Sequence, residues 1–371
     1  MKKLALYIFI ALPEIIAAAS GDTSLVFKSA SNLVTPIIDS SSRQYTMLYF
    51  HMNGCAPCRK MERNVFSNEI IFSFFNKHFL NIDVNTSKEK EKLIAAHYDV
   101  KLYPAFVFLD SNGIELHRVL GYIESETFLK IGENVLQNKE TIHYYKTKLD
   151  SNSIATEELY KHVQLLREAN QLKTEDVTLY LNRLDTLRFS DILNLRFIYD
   201  FSVVENKVFI PNDHPAIHFM QQNKSLFTAL FDSAQVNIRL LKIFYRAAEN
   251  AITDEDAPIL VSALVGLSEF DTGAIMPFRE TDGRITSVTH TGSLRDNVIK
   301  QFLLRNSTNF KFLDAFAREC LMQKQKFLIE AALKASERAY NKGGEAVYQE
   351  TYANVLKASG KPKHAARVLR N

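Results

Sequence analysis

Between residues 45 and 137 the apolar positions switch repeatedly between strand-like runs and helical spacing. Residues 45–51 (YTMLYFH) form a short apolar and aromatic run, as a buried strand does. Met52-Asn53-Gly54 is a turn, and a helical pattern opens at Cys55 and carries Met61 and Phe66. Ser67 and Asn68 are cap candidates for a second helix, in which Ile70, Ile71, Phe74 and Phe75 recur at helical spacing. Residues 79–84 (FLNIDV) read as a strand and 88–97 as a helix, charged at its start. Residues 104–109 (PAFVFL) are a strand rich in β-favouring side chains. Asp110-Ser111-Asn112-Gly113 is a hairpin signal, 114–120 pairs back, Gly121 breaks the strand, and 124–137 is a final helix. That order predicts one small α/β sandwich.

Past about Tyr144 the strand-like runs largely vanish. Segments 151–170, 174–187, 226–251 and 310–341 carry apolar residues at helical spacing, with loop-like breaks at 211–214 and 281–292. The chain closes with helices over 331–340, 348–358 and 364–370, separated by Gly343-Gly344 and by Gly360-Lys361-Pro362. The spacing of Tyr352, Gly360 and Ala365 resembles one tetratricopeptide-type helix pair, but no clean period runs through the rest. The expectation is an all-α helical domain of weak repeat character over 144–371.

The first twenty residues have another logic. Lys2 and Lys3 precede an apolar stretch over 4–12, and Ala17-Ala18-Ala19-Ser20 offers the small residues of a cleavage site. Pro13 and Glu14 interrupt the run, yet the three regions occur in the order of a secretory signal peptide, expected over 1–20. The run is too short for a membrane span, so an exported, soluble, periplasmic protein is expected, with an α/β domain over 21–143. A composition of 46% hydrophobic and 23% charged residues is ordinary for globular chains, and a net charge of +3 gives no reason to expect nucleic acid as a partner. The chain has three cysteines, which excludes a disulfide-stapled scaffold. Cys320 sits on a helix near Phe316 and Leu321, as a buried inert thiol does.

The other two form Cys55-Ala56-Pro57-Cys58 at a strand-to-helix turn. A thiol at a helix N-terminus meets unpaired N–H groups that favour its thiolate, and a second thiol one turn on can bond to it. Pro57 suits a first helical turn, where its missing N–H costs nothing. Half of a zinc site is the competing reading, but only Cys320 remains as a thiol, and His51 and His97 lack ligand spacing. Cys55 is therefore the candidate nucleophile and Cys58 the resolving thiol.

The segment YFHMNGCAPCRKMERNVFSNEIIFSFFNKHF, followed by AHYDVKLYPAFVFLDSNG, resembles the thioredoxin superfamily. It looks closest to thioredoxin-like domains such as the C-terminal domain of membrane thiol:disulfide interchange proteins. The likeness covers about residues 45–136. It implies a thioredoxin-like α/β fold, with a cis peptide at Tyr103-Pro104 whose backbone edge binds extended substrate. It also implies disulfide-containing protein substrates, a redox partner that is a membrane electron donor, and no cofactor or metal. Ala56-Pro57 resembles the Gly-Pro of reducing thioredoxins. Two positions depart from thioredoxin: Gly54 replaces a tryptophan before the first cysteine, and Tyr49 replaces a buried acid six residues before it. Glu62, one turn past Cys58, is better read as a solvated helix-face carboxylate than as a substitute for that acid. A reading from another class makes the helical domain a protein-binding scaffold or holdase and the α/β domain its docking module.

Overall fold

The strands predicted at the start of the chain assemble into one mixed sheet. The computed structural model describes residues 23–30, 45–205, 207–270, 276–279, 285–288 and 293–370. The expected signal peptide over 1–20 lies outside the described residues. In chain order the first elements are β1 (Lys28–Ser29), β2 (Tyr45–His51), α1 (Ala56–Asn64), α2 (Glu69–His78), β3 (Phe79–Asn85), α3 (Glu89–His97), β4 (Ala105–Leu109), β5 (Glu115–Leu120), α4 (Ser125–Leu136), α5 (Ile142–Asp150) and α6 (Thr156–Glu168). The sheet order is β1-β3-β2-β4-β5. β1 and β2 run parallel to β3, β4 is antiparallel to β2, and β5 is antiparallel to β4.

Successive side chains of β2 point to opposite faces. Met47 and Tyr49 join Met61, Phe66, Phe75, Phe106, Phe108 and Phe128 in one core. Leu48 and Phe50 join Ile82, Val84, Ala95, Val100 and Val107 in the other. Burial on both faces is why this strand reads as an unbroken apolar run. Many of the chain's phenylalanines meet in the first core: Phe75 stacks on Phe128 with ring centroids 4.6 Å apart, and Phe106 meets Phe128 edge-on at 4.8 Å.

Helix ends follow local chemistry. Asn68, rather than Ser67, caps α2, its side chain accepting from the N–H groups of Ile70 and Ile71. α1 stops at Asn64, two residues before Phe66, because the N–H groups of Val65 and Phe66 both turn back onto the Met61 carbonyl. Gly132 lets α4 approach α2 closely. A Cβ there would lie 2.7 Å from Phe74 Cε1 and 2.8 Å from Cζ of the fully buried Phe75. We expect Gly132→Val to destabilise the domain by about 3 kcal/mol, read as a lower urea midpoint at unchanged slope.

The chain divides into two compact units, Met1–Leu172 and Lys173–Asn371. The change of character expected at 143/144 thus falls inside the first unit, because α5 packs against β5 and α6 packs on α5. The Ile142 N–H donates to His117 Nδ1 at 3.4 Å, and Gln171 Nε2 donates to Glu115 Oε1 at 3.3 Å.

The second unit holds α7 (Thr174–Asn182), α8 (Ile192–Ser202), β6 (Val203–Val204), β7 (Lys207–Val208), α9 (Pro215–Gln222), α10 (Lys224–Thr228), α11 (Ser233–Asp254), α12 (Ala257–Leu267), β8 (Met276–Arg279), β9 (Ile285–Val288), α13 (Leu294–Arg305), α14 (Phe310–Gln323), α15 (Lys326–Gly343), α16 (Ala346–Ala358) and α17 (Pro362–Val368). It is helical as expected, with two exceptions. β6 pairs with β7, and β8 with β9, as short antiparallel ribbons, so part of the break expected over 281–292 is strand. The helix expected over 226–251 is two helices, because Asp232 caps α11 by accepting from the Gln235 N–H. Likewise 310–341 is broken at Lys324, which takes a left-handed conformation. The last three helices run 18, 13 and 7 residues and show no common period. Tyr352 and Ala365 do pack together in one small core there. Cys320 is fully buried on α14, and burial pushes its thiol well above the usual range, as suits an inert side chain.

Candidate active site

β2, the central strand, ends at His51, and three residues then turn the chain into α1. Gly54 has φ +82°, which a side chain would strain, so the turn needs glycine there. The turn is braced from β3: Asn53 N–H donates to Ser87 Oγ at 2.9 Å, and Asn85 Nδ2 donates to Asn53 Oδ1 at 3.1 Å. Cys55 is the N-cap of α1, in extended conformation, and its Sγ accepts from the Cys58 N–H at 3.2 Å. Pro57 lies in the first turn. Cys55 and Cys58 are disulfide-bonded, with Cα atoms 5.3 Å apart. Cys55 is half-buried, whereas Cys58 is 2% exposed within the first core. One sulfur therefore borders solvent at a helix N-terminus and its partner is held inside.

The second predicted element reaches the same end of the sheet. The antiparallel register pairs Phe50 with Ala105, so Pro104 enters β4 where β2 leaves for the cysteines. The Tyr103-Pro104 peptide is cis. The Pro104 carbonyl accepts from Gly121 N–H at 2.7 Å, which fixes the loop against the end of β5. Tyr103 and Cys55 both pack, half-buried, against the core cluster that contains Cys58. Nearby, the Lys60 ammonium sits 3.6 Å from the centre of the Tyr122 ring.

Beneath Cys58 the sheet buries a tyrosine. Tyr49 is 2% exposed and its hydroxyl donates to Glu62 Oε1 at 3.1 Å. The same hydroxyl lies 3.5 Å from the Cys58 carbonyl oxygen. The ring is stacked between Phe106 and His51, at 5.3 and 5.0 Å. His51 Nε2 lies 2.7 Å from Asp83 Oδ1. Burial first, then the carboxylates of Glu62 and Asp83, push the Tyr49 phenol far above its ordinary range, so it stays a protonated donor. Three spacings carried the signal. Tyr49 and His51 are two apart on a strand, Cys58 and Glu62 are four apart on a helix, and Tyr49 pairs in register with Asp83. The last could not be read before the strands were paired.

A strand feeding a Cys-x-x-Cys at a helix N-terminus, with a proline loop at the same sheet end, defines a thioredoxin-like disulfide oxidoreductase fold with a Cys55–Cys58 pair. Residues 37–136 match the model of the thioredoxin-like domain family, and this chain carries such a domain there. Among solved structures the chain is similar to a thioredoxin from Thermus thermophilus, with 27% identity over 25% of this chain and 74% of that one, at a TM-score of 0.24. It is similar to an oxidoreductase described as DsbH, with 19% identity over 36% of this chain and 95% of that one, TM-score 0.27. It is also similar to a putative disulphide-isomerase from Bacteroides thetaiotaomicron, with 21% identity over 32% and 97% and a TM-score of 0.28. Comparison with curated proteins gives no match.

Proposed function

We propose that this is an exported enzyme that reduces disulfides in protein substrates by dithiol–disulfide exchange. The observation that carries the reading is the asymmetry of the pair: Cys55 half-buried at the helix N-terminus, Cys58 enclosed behind it. In the reduced enzyme the Cys58 N–H and the positive end of the α1 dipole stabilise negative charge on Cys55 sulfur. That thiolate attacks one sulfur of the substrate disulfide, forming a Cys55–substrate bond and expelling the other substrate sulfur as thiolate. Cys58 then attacks Cys55, the mixed disulfide breaks, and the second substrate thiol leaves. The substrate gains two electrons, and the enzyme returns to the bonded pair present in the structure. The backbone of Tyr103 and Pro104, at the same sheet end, takes the extended substrate segment. A redox partner, read as a membrane electron donor, supplies the dithiol that reopens the pair.

Export rests on the order of charge, apolar stretch and small residues over 1–20. Among the described residues no helix is long and apolar enough to cross a membrane. The reducing direction rests on Ala56-Pro57 between the cysteines. Insulin precipitation with dithiothreitol tests the activity: wild type should accelerate it, and Cys55→Ser should fall to the uncatalysed rate. Equilibration against glutathione tests the direction. A potential near about −270 mV supports a reductase, and one near about −120 mV makes the enzyme an oxidant instead.

A further inference from the structure

Along one face of α11, Gln235, Arg239 and Lys242 stand four and three residues apart, so their side chains share surroundings. With Tyr199 of α8, Val203 of β6 and Glu205 they line a cavity of about 290 Å³, at the small end of ligand clefts. Arg239 is built into its wall. Its Nη1 donates to the Val203 carbonyl at 2.6 Å, and its guanidinium carbon sits 4.1 Å from the centre of the Tyr199 ring. That buried ring stacks on Phe231 at 3.7 Å, and its hydroxyl donates to Gln235 Oε1 at 3.2 Å. Lys242, one turn along, brings a second cation to the cavity and is itself half-buried. Burial, then Arg239, then Arg246 one turn further, hold its ammonium below the usual lysine range. Arg246 pairs with Glu249 at 2.7 Å. Of the ionised side chains lining the cavity, two are cations and one, the exposed Glu205, is an anion, which leaves the cavity positive. A solvated helix face spreads like charges into water. Here two like charges are drawn together and partly withdrawn from it, an arrangement that costs stability until an anion enters.

We propose that this cavity is a binding site for a small oxyanion, the carboxylate or phosphate group of a low-molecular-weight ligand. Arg239 and Lys242 supply charge-assisted hydrogen bonds to its oxygens. The stacked Tyr199 ring holds the guanidinium in place, and Gln235, fixed by the Tyr199 hydroxyl, adds a neutral polar wall. The volume suits a small acid rather than a nucleotide. All the lining residues belong to the second unit, so the proposal does not rest on the oxidoreductase reading of the first.

Two probes separate the sources of the oxyanion. Inorganic phosphate and succinate are titrated calorimetrically into the full-length protein, with chloride holding the ionic strength constant. At least one should bind with a Kd below about 1 mM, and the tighter of the two tells whether phosphate esters or carboxylic acids are the ligands. Lys242→Met should weaken that binding by about 10²-fold, whereas Lys242→Arg, which keeps the charge, should stay within about tenfold of wild type. A saturating probe should raise the wild-type Tm by about 5 °C and leave that of Lys242→Met unmoved. In chloride alone Lys242→Met should melt no lower than wild type, because it removes a half-buried charge from beside two others. Failure of both probes to bind at up to about 10 mM overturns the proposal. So does wild-type-like binding by Lys242→Met, which puts the anion elsewhere. A Lys242→Met protein that melts well below wild type in chloride overturns it too, since the lysine is then a structural cation. Because Arg239 also braces Val203, the lysine rather than the arginine carries the test.

Discussion

A Cys58→Ser enzyme should accumulate a stable covalent adduct with its substrates and lose turnover by about 10³-fold or more. Burial separates the roles. Cys55 borders solvent and can meet an incoming disulfide, while Cys58 is enclosed and can reach only Cys55, to which it is already bonded in the oxidised form. Removing the enclosed sulfur leaves attack intact and blocks release. A single adduct should form, visible on non-reducing gels and in intact mass, and dithiothreitol should dissolve it. Cys55→Ser should form none, although it keeps the Cys58 and Cys320 thiols, because both are buried. Capture by Cys55→Ser as efficient as by Cys58→Ser would reverse the assignment. The trapped adducts also identify substrates and the redox partner, since each must pass through the same mixed disulfide.

How much of this was legible beforehand depends on how local the cause is. β2, the hairpin at Asp110–Gly113 and the Cys-x-x-Cys turn were readable because their patterns lie within a few residues. The end of α1 was misplaced at Phe66 because apolar side chains continue past Asn64, and only the backbone turns away. The break before α11 depends on a single cap, Asp232, inside an otherwise helical pattern. The extent of the first unit was hidden because it is fixed by contacts far apart in sequence, such as His117 with Ile142 and Glu115 with Gln171. The support beneath Cys58 was missed for the same reason. Tyr49 reads as the loss of an acid, and only the folded sheet shows its hydroxyl donating to Glu62, which stays solvent-exposed on α1 as expected.

Those distant contacts also set how the first unit responds to acid. His117, on the edge strand, is 3% exposed, and burial holds it down to about 4. Its Nδ1 accepts from Ile142 N–H at the start of α5, a role only the neutral ring can fill. His162 on α6 is also 3% exposed and is held down to about 4, by burial and then by Lys146. Its Nδ1 has no hydrogen-bond partner among the described residues. Both histidines titrate near 6.5 in the unfolded chain but must stay neutral in the fold. The unfolded state therefore binds more protons than the native one between those values. Stability is complete above about 6.5, falls as pH drops towards about 4, and is not lost further by these two groups below that. For His117 the loss amounts to about 3 kcal/mol, a large part of a small domain's total stability. Acidification also weakens pairs such as Lys148–Glu158, so raw midpoints mix causes. The clean measurement is a difference: urea midpoints for wild type and for a His117→Gln/His162→Gln variant at pH 7 and near pH 4.5. The variant should be less stable at neutral pH yet lose markedly less on acidification, because carboxylate terms cancel between the two proteins. Equal losses would mean that the histidines are not buried neutral and that α5 does not dock on β5, nor α6 on α5, as described.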